Sequence, residues 1–115
     1  MRVLICGGRD YSDERSFSLQ MSAINEQYGP FTCVIHGAAS GADAFAARYA
    51  ARELIPVESY PADWRKHGRA AGPIRNEQML REGRPDLVVA FPGGRGTANM
   101  VALARGSGVR VIEPA

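Results

Sequence analysis

The chain has 115 residues, 45% apolar and 23% charged, with a formal net charge of +2. That length holds one domain, residues 1–115, and excludes two. The composition excludes a disordered chain, and so small a charge excludes any case for nucleic acid on electrostatics alone.

The first element is Arg2 to Cys6, RVLIC, a short apolar strand ended by Gly7-Gly8. Such a start lacks a signal peptide's cleavage pattern, and no apolar run reaches membrane-spanning length. The default expectation is therefore a cytoplasmic protein with no membrane partner. Ser12 or Asp13 can cap a helix running to about Tyr28, with Phe17, Met21 and Ile24 on one face, and Gly29-Pro30 stops it. Phe31 to Ile35 is a second strand, ended at Gly37, and a small-residue helix follows from about Ala42 to Glu53. Pro56 to Tyr60 is a weaker third strand, and Pro61 to Gly72 is the longest irregular stretch. Pro73 fits the first turn of a helix to about Glu82. Leu87 to Phe91 is the fourth strand, Thr97 to Arg105 the fourth helix, and Val109 to Ile112 the fifth strand.

Short apolar strands alternating with helices read as βαβ units, and near-continuous apolar strands imply a parallel sheet buried on both faces. Right-handed crossovers make it a doubly wound, Rossmann-like α/β fold. No helix follows strand five to cover that side, which self-association would do. Cys6 and Cys33 lie inside apolar runs and read as buried free thiols. No residue spacing suits a metal, and no cofactor is called for. Thirteen of the fourteen basic residues are arginines, with Lys66 the exception. A GC-rich genome explains that bias, although arginine also grips phosphate bidentately.

In an open parallel sheet, ligands bind outside the carboxyl ends of the strands, where strand order reverses. Four loops must open on that edge: GGRDYSD, HGAASGAD, YPADWRKHGRAAG and PGGRGTAN. The last, Pro92 to Asn99, is the sharpest signal. Gly93, Gly94 and Gly96 bare the backbone around Arg95, and Thr97 stands at a helix start, where free amides and the helix dipole attract an anion. The competing explanation is a tight strand-to-helix turn. No GK[ST] follows, so it is not a Walker loop. After strand one, Gly7, Gly8, Arg9 and Asp10 face this loop if order reverses there. Arg9 can pair with a phosphate, and Asp10 can accept from a ribose hydroxyl or simply cap a turn. After strand two, His36, Gly37, Ser40, Gly41 and Asp43 reach the rim, with Ser40 a cap candidate and His36 more typical of a structural histidine. Trp64 either stacks on a base or plugs its own loop. Arg75 and Asn76 open a helix near the rim, Arg75 as a candidate anion clamp.

Taken together, these loops resemble the SLOG superfamily, named for the Smf/DprA and Lonely Guy proteins, and within it the small YspA-like branch of bacteria and phages. The resemblance rests on GGRDYSD, HGAASGAD, YPADW, AGPIRNEQM and PDLVVAFPGGRGTANM, in that order, and spans nearly the whole chain. It implies a sheet of order 3-2-1-4-5, a nucleotide or nucleotide-derived ligand, and a homodimer or higher homo-oligomer. The Lonely Guy enzymes cleave the N-glycosidic bond of a nucleoside monophosphate with a PGGxGTxxE loop and an RKxxM helix. Pro92, Gly93, Gly94, Gly96 and Thr97 match the first, and Arg75 and Met79 the second, with Asn76 in place of lysine. The catalytic glutamate's position is Met100, which leaves activity undecided; Arg75, Glu77 and Asp63 are catalytic candidates, with Asp10 and Asp43 as further rim carboxylates. Three functions follow for weighing: a nucleotide-derivative binding module or sensor, a nucleotide N-glycosidase, and a DprA-like single-stranded DNA binder. The third needs Trp64 for stacking and more positive charge than the chain carries.

Overall fold

The structure, a computed structural model, describes residues 1–114. Strands β1 (Arg2–Cys6), β2 (Cys33–His36), β3 (Val57–Ser59), β4 (Leu87–Ala90) and β5 (Arg110–Ile112) alternate with helices α1 (Glu14–Tyr28), α2 (Ala42–Arg52), α3 (Trp64–His67), α4 (Ala71–Gly83) and α5 (Arg95–Gly106). The strands form one all-parallel sheet, β3-β2-β1-β4-β5. This is the expected Rossmann-like arrangement, and order reverses between β1 and β4.

Period-two alternation sorts the strand residues onto two helical layers. Val3, Ile5, Val34, Leu87 and Val89 pack with Phe17, Met21, Ala46 and Tyr49 of α1 and α2. Leu4, Cys6, Cys33, Ile35, Val88 and Ala90 pack with Met79, Met100, Val101 and Ala104 of α4 and α5. The central strands are buried on both faces, which explains their unbroken apolar sequence. The edge strands β3 and β5 are only three residues long and partly exposed.

Several local expectations need correction. Of the two α1 cap candidates the structure selects Asp13, which accepts from the Ser16 amide at 3.0 Å. The segment 61–72 is not irregular: Asp63 caps α3 by accepting from Lys66 N at 3.1 Å, and a 3-10 turn at Gly68–Ala70 leads into α4. Its proline and glycines masked a capped turn. Ser40 caps nothing; its hydroxyl donates to Arg9 O at 3.1 Å, and Gly41 is the N-cap of α2. Helix α5 begins at Arg95, two residues before the expected start, so Thr97 is its third residue. Among the described residues, no helix is long and apolar enough to cross a membrane.

Candidate functional site

The loops after β1, β2 and β4 are laced together at the carboxyl edge of the sheet. Phe91 N donates to Cys6 O at 2.9 Å, Gly8 N to Pro92 O at 2.9 Å, and Ala42 N to Gly8 O at 3.2 Å. Four glycines, Gly7, Gly8, Gly41 and Gly93, serve this lacing. A Cβ on Gly7 would stand 2.6 Å from Ala42 Cβ, and one on Gly93 would stand 2.6 Å from Gly8 N. Gly41 adds a positive φ of 68°, which only glycine adopts without strain. One on Gly37 would strike the Arg75 guanidinium. Gly94 and Gly96 differ, because nothing lies within 4 Å of a Cβ built there. Their bare backbone faces open space.

That space is a crevice of about 600 Å³ over β1 and β4, lined by Cys6 to Asp10, Ala39, Asp43, Trp64, Arg69, Gly72, Pro73, Arg75, Asn76, Met79, Gly94 to Thr97 and Asn99. The size suits a small-molecule ligand. Four guanidiniums, of Arg9, Arg69, Arg75 and Arg95, meet two carboxylates, of Asp10 and Asp43, so the walls carry net positive charge. Cys6, Met79 and Pro73 supply an apolar floor. The amino end of α5 opens here with Gly94 as N-cap and no side chain capping it. The first intrahelical bond is Ala98 N to Gly94 O, at 3.0 Å. The preceding amides, of Arg95, Gly96 and Thr97, are the ones a helix leaves without internal partners.

Arg75 reaches the crevice from α4. Its Nη1 donates to Gly37 O, and its Nε donates to Asn76 Oδ1 at 3.1 Å. Asn76, buried, in turn donates to Gly96 O at 3.1 Å and Asn99 Oδ1 at 3.0 Å. One amide thus ties the guanidinium to the first turn of α5. Burial draws the Arg75 pKa below its usual value, with Asp43 opposing and Arg9 reinforcing that shift. The guanidinium stays charged at any ordinary pH, and a poorly solvated cation gains more from an anionic partner.

Asp43 is buried at the crevice wall, accepting from Ala39 N at 3.1 Å. Burial pushes its pKa up, against the Ala39 bond and the charge of Arg75. His36 is buried and does not line the crevice; its Nδ1 accepts from Ala38 N at 3.0 Å, and burial pulls its pKa down. It is a neutral imidazole that shapes the β2 loop. Burial drives the Cys6 thiol up to about 12, which disfavours its thiolate form.

The remaining candidates divide. Gly7, Gly8, Arg9, Asp10, Trp64, Arg95, Gly96 and Thr97 line the crevice. Gly37 and Ser40 line a smaller cleft beside it, and Pro92 and Gly93 lie behind the α5 turn in a separate depression. Glu77 is outside the crevice, on another side of α4, 3.6 Å from Arg81. Asp63 serves as the α3 cap. Met100 is fully buried in the core cluster that includes Leu4 and Val88, so its position faces the core while Asn99 faces the crevice. Arg69 and Asn99 were missed by sequence reasoning. Arg69 lies in the stretch whose sequence suggests an irregular loop, and Asn99 is signalled only by its place two residues beyond Thr97.

Comparison with known proteins agrees with this architecture. A model of the YspA, cpYpsA-related SLOG family matches residues 1–67, which carry the β1, β2 and β3 loops. The chain is also similar to "Gene 61 protein" of Mycobacterium phage D29, 39% identical over 121 aligned residues, covering 97% of this chain and 94% of that protein.

Proposed function

The chain belongs to the YspA, cpYpsA-related SLOG family, and on that footing we propose that its crevice binds a nucleotide or nucleotide-derived small molecule. The ligand's phosphate lies at the amino end of α5, against the bare backbone of Gly94 and Gly96, with the Arg75 guanidinium closing on it. One observation carries this reading: an uncapped helix start and a tethered, poorly solvated arginine share a positively lined crevice. A helix amino end alone contributes about 0.3–1 kcal/mol, or roughly 2 when partly buried. A charged hydrogen bond from arginine adds about 1.5–3 kcal/mol. Together they reach micromolar binding only with further contacts, which Arg9, Arg95 and the apolar floor offer.

Binding is favoured over N-glycosidic hydrolysis because the position of the Lonely Guy catalytic glutamate is a methionine sealed in the core. The experiment is calorimetric titration and thermal melting with a panel of nucleoside mono- and diphosphates and their dinucleotide derivatives. Saturable binding with a raised melting temperature is expected. A folded sample that responds to none of the panel would refute the reading.

A further inference from the structure

The main crevice has a neighbour. A side cleft of about 270 Å³ opens beyond it, toward the ends of β2 and β3, with Pro61 and Ala62 on its outer wall. The two cavities share Arg9, Ala39, Trp64 and Arg75, which therefore form the partition between them. That partition is built of flat groups. The Arg9 guanidinium lies over the Trp64 ring, 4.9 Å from its centroid. Trp64 is 46% exposed, which is unusual for so large an apolar side chain. Its ring edge is seated over Gly72, where a Cβ would stand 3.4 Å from Trp64 Cη2.

We propose that the ligand's phosphate is internal: a phosphodiester or pyrophosphate joins two organic groups, one in the main crevice and one in the side cleft past Trp64. This rests on the phosphate reading above and sharpens it. A pocket for a terminal phosphate ends at its cations. Here Arg75 and Arg9 have cavity on both sides, so a phosphate seated at the amino end of α5 and gripped by Arg75 leaves room for a second substituent to pass them into the side cleft. The side cleft falls just below the roughly 300–1,000 Å³ of a complete ligand site, so it suits an arm of a ligand rather than a second molecule. The exposed part of the Trp64 ring, which also lines the side cleft, offers that arm an aromatic contact.

The test compares adenosine monophosphate, adenosine diphosphate and diadenosine pyrophosphate by calorimetry on the whole chain. The diphosphate controls for added charge, and the fluorescence of Trp64, the chain's single tryptophan, reports on the partition. We expect the dinucleotide to bind at least about tenfold tighter than either mononucleotide and to perturb Trp64 emission. Ala62→Phe, at a half-buried loop position, fills the side cleft; it abolishes that advantage and leaves mononucleotide affinity unchanged. Equal affinities in the wild type overturn the inference and leave the phosphate site standing. So does a dinucleotide advantage that survives in a folded Ala62→Phe. Affinity that keeps climbing for a long oligodeoxynucleotide overturns it in favour of a strand. Failure of all three probes removes the proposed function itself.

Discussion

Two glycines three positions apart in one loop are expected to respond oppositely to alanine. Gly96 is the second residue of α5, and a methyl there meets nothing within 4 Å. Alanine relieves the backbone entropy of glycine in a helix, a gain of about 0.5–1 kcal/mol. For a domain near this size that raises the melting temperature by about 2–6 °C. The same methyl stands at the crevice wall, where the phosphate is proposed to lie. Gly96→Ala should therefore be more stable than the wild type yet bind its nucleotide at least about tenfold more weakly. Gly93→Ala places its Cβ 2.6 Å from Gly8 N and 3.0 Å from Gly7 C, with Thr97 Oγ1 also in the way. The β1 and β4 loops must part, and the Gly8–Pro92 hydrogen bond goes with them. Overpacking of that kind costs about 1–3 kcal/mol, before any lost hydrogen bond. Urea and thermal unfolding measure the stability of both variants, and calorimetry measures binding. A Gly96→Ala protein that binds normally would show that the ligand does not approach this backbone. A Gly93→Ala protein as stable as the wild type would show that the loops are not laced as described.

Arg75→Ala should weaken nucleotide binding by roughly ten- to a hundredfold, the equivalent of one charged hydrogen bond; unchanged affinity by calorimetry would contradict the clamp. Met100→Glu, which restores the enzymes' glutamate, should not produce a hydrolase. It buries an unpartnered carboxyl at a cost of about 3–5 kcal/mol, so chromatography should find no released base and urea unfolding should show a large loss. His36 has its pKa lowered by burial from 6.5, so the unfolded chain takes up its proton first. Its stabilising share is complete above that value and is lost as pH falls through it toward the folded value. Asp43, which faces it with a raised pKa, works the other way. His36→Asn should thus lose less stability than the wild type between pH 7 and about 5, checked by thermal melts across that range.

The fold was legible because its signals are redundant. Unbroken apolar runs such as LVVA mark strands buried on both faces, and Phe17, Met21 and Ile24 mark one helical stripe. Sheet order was read from the motif resemblance rather than from the runs. The site was legible as a rim, because topology alone sends four loops to one edge. Its interior was not, because sequence states which residues reach the edge but not where each side chain turns. Asn76 and Glu77 are adjacent on α4, yet one knits the crevice together and the other pairs with Arg81 elsewhere. Met100 and Asn99 divide in the same way, one to the core and one to the crevice.

Glycine was the most ambiguous signal. A glycine cluster is called for equally by a ligand that must approach the backbone and by loops that must approach one another. The two demands leave different traces in space. At Gly7, Gly8, Gly41 and Gly93, protein atoms already occupy the place of a side chain, so those residues would be needed with no ligand at all. At Gly94 and Gly96 the place is empty and opens on the crevice. A turn that only needed flexibility would tolerate alanine at Gly96, inside a helix, and gain stability from it. Glycine there forgoes that stability, which is what the proposed ligand contact with the backbone at the mouth of an uncapped helix would demand.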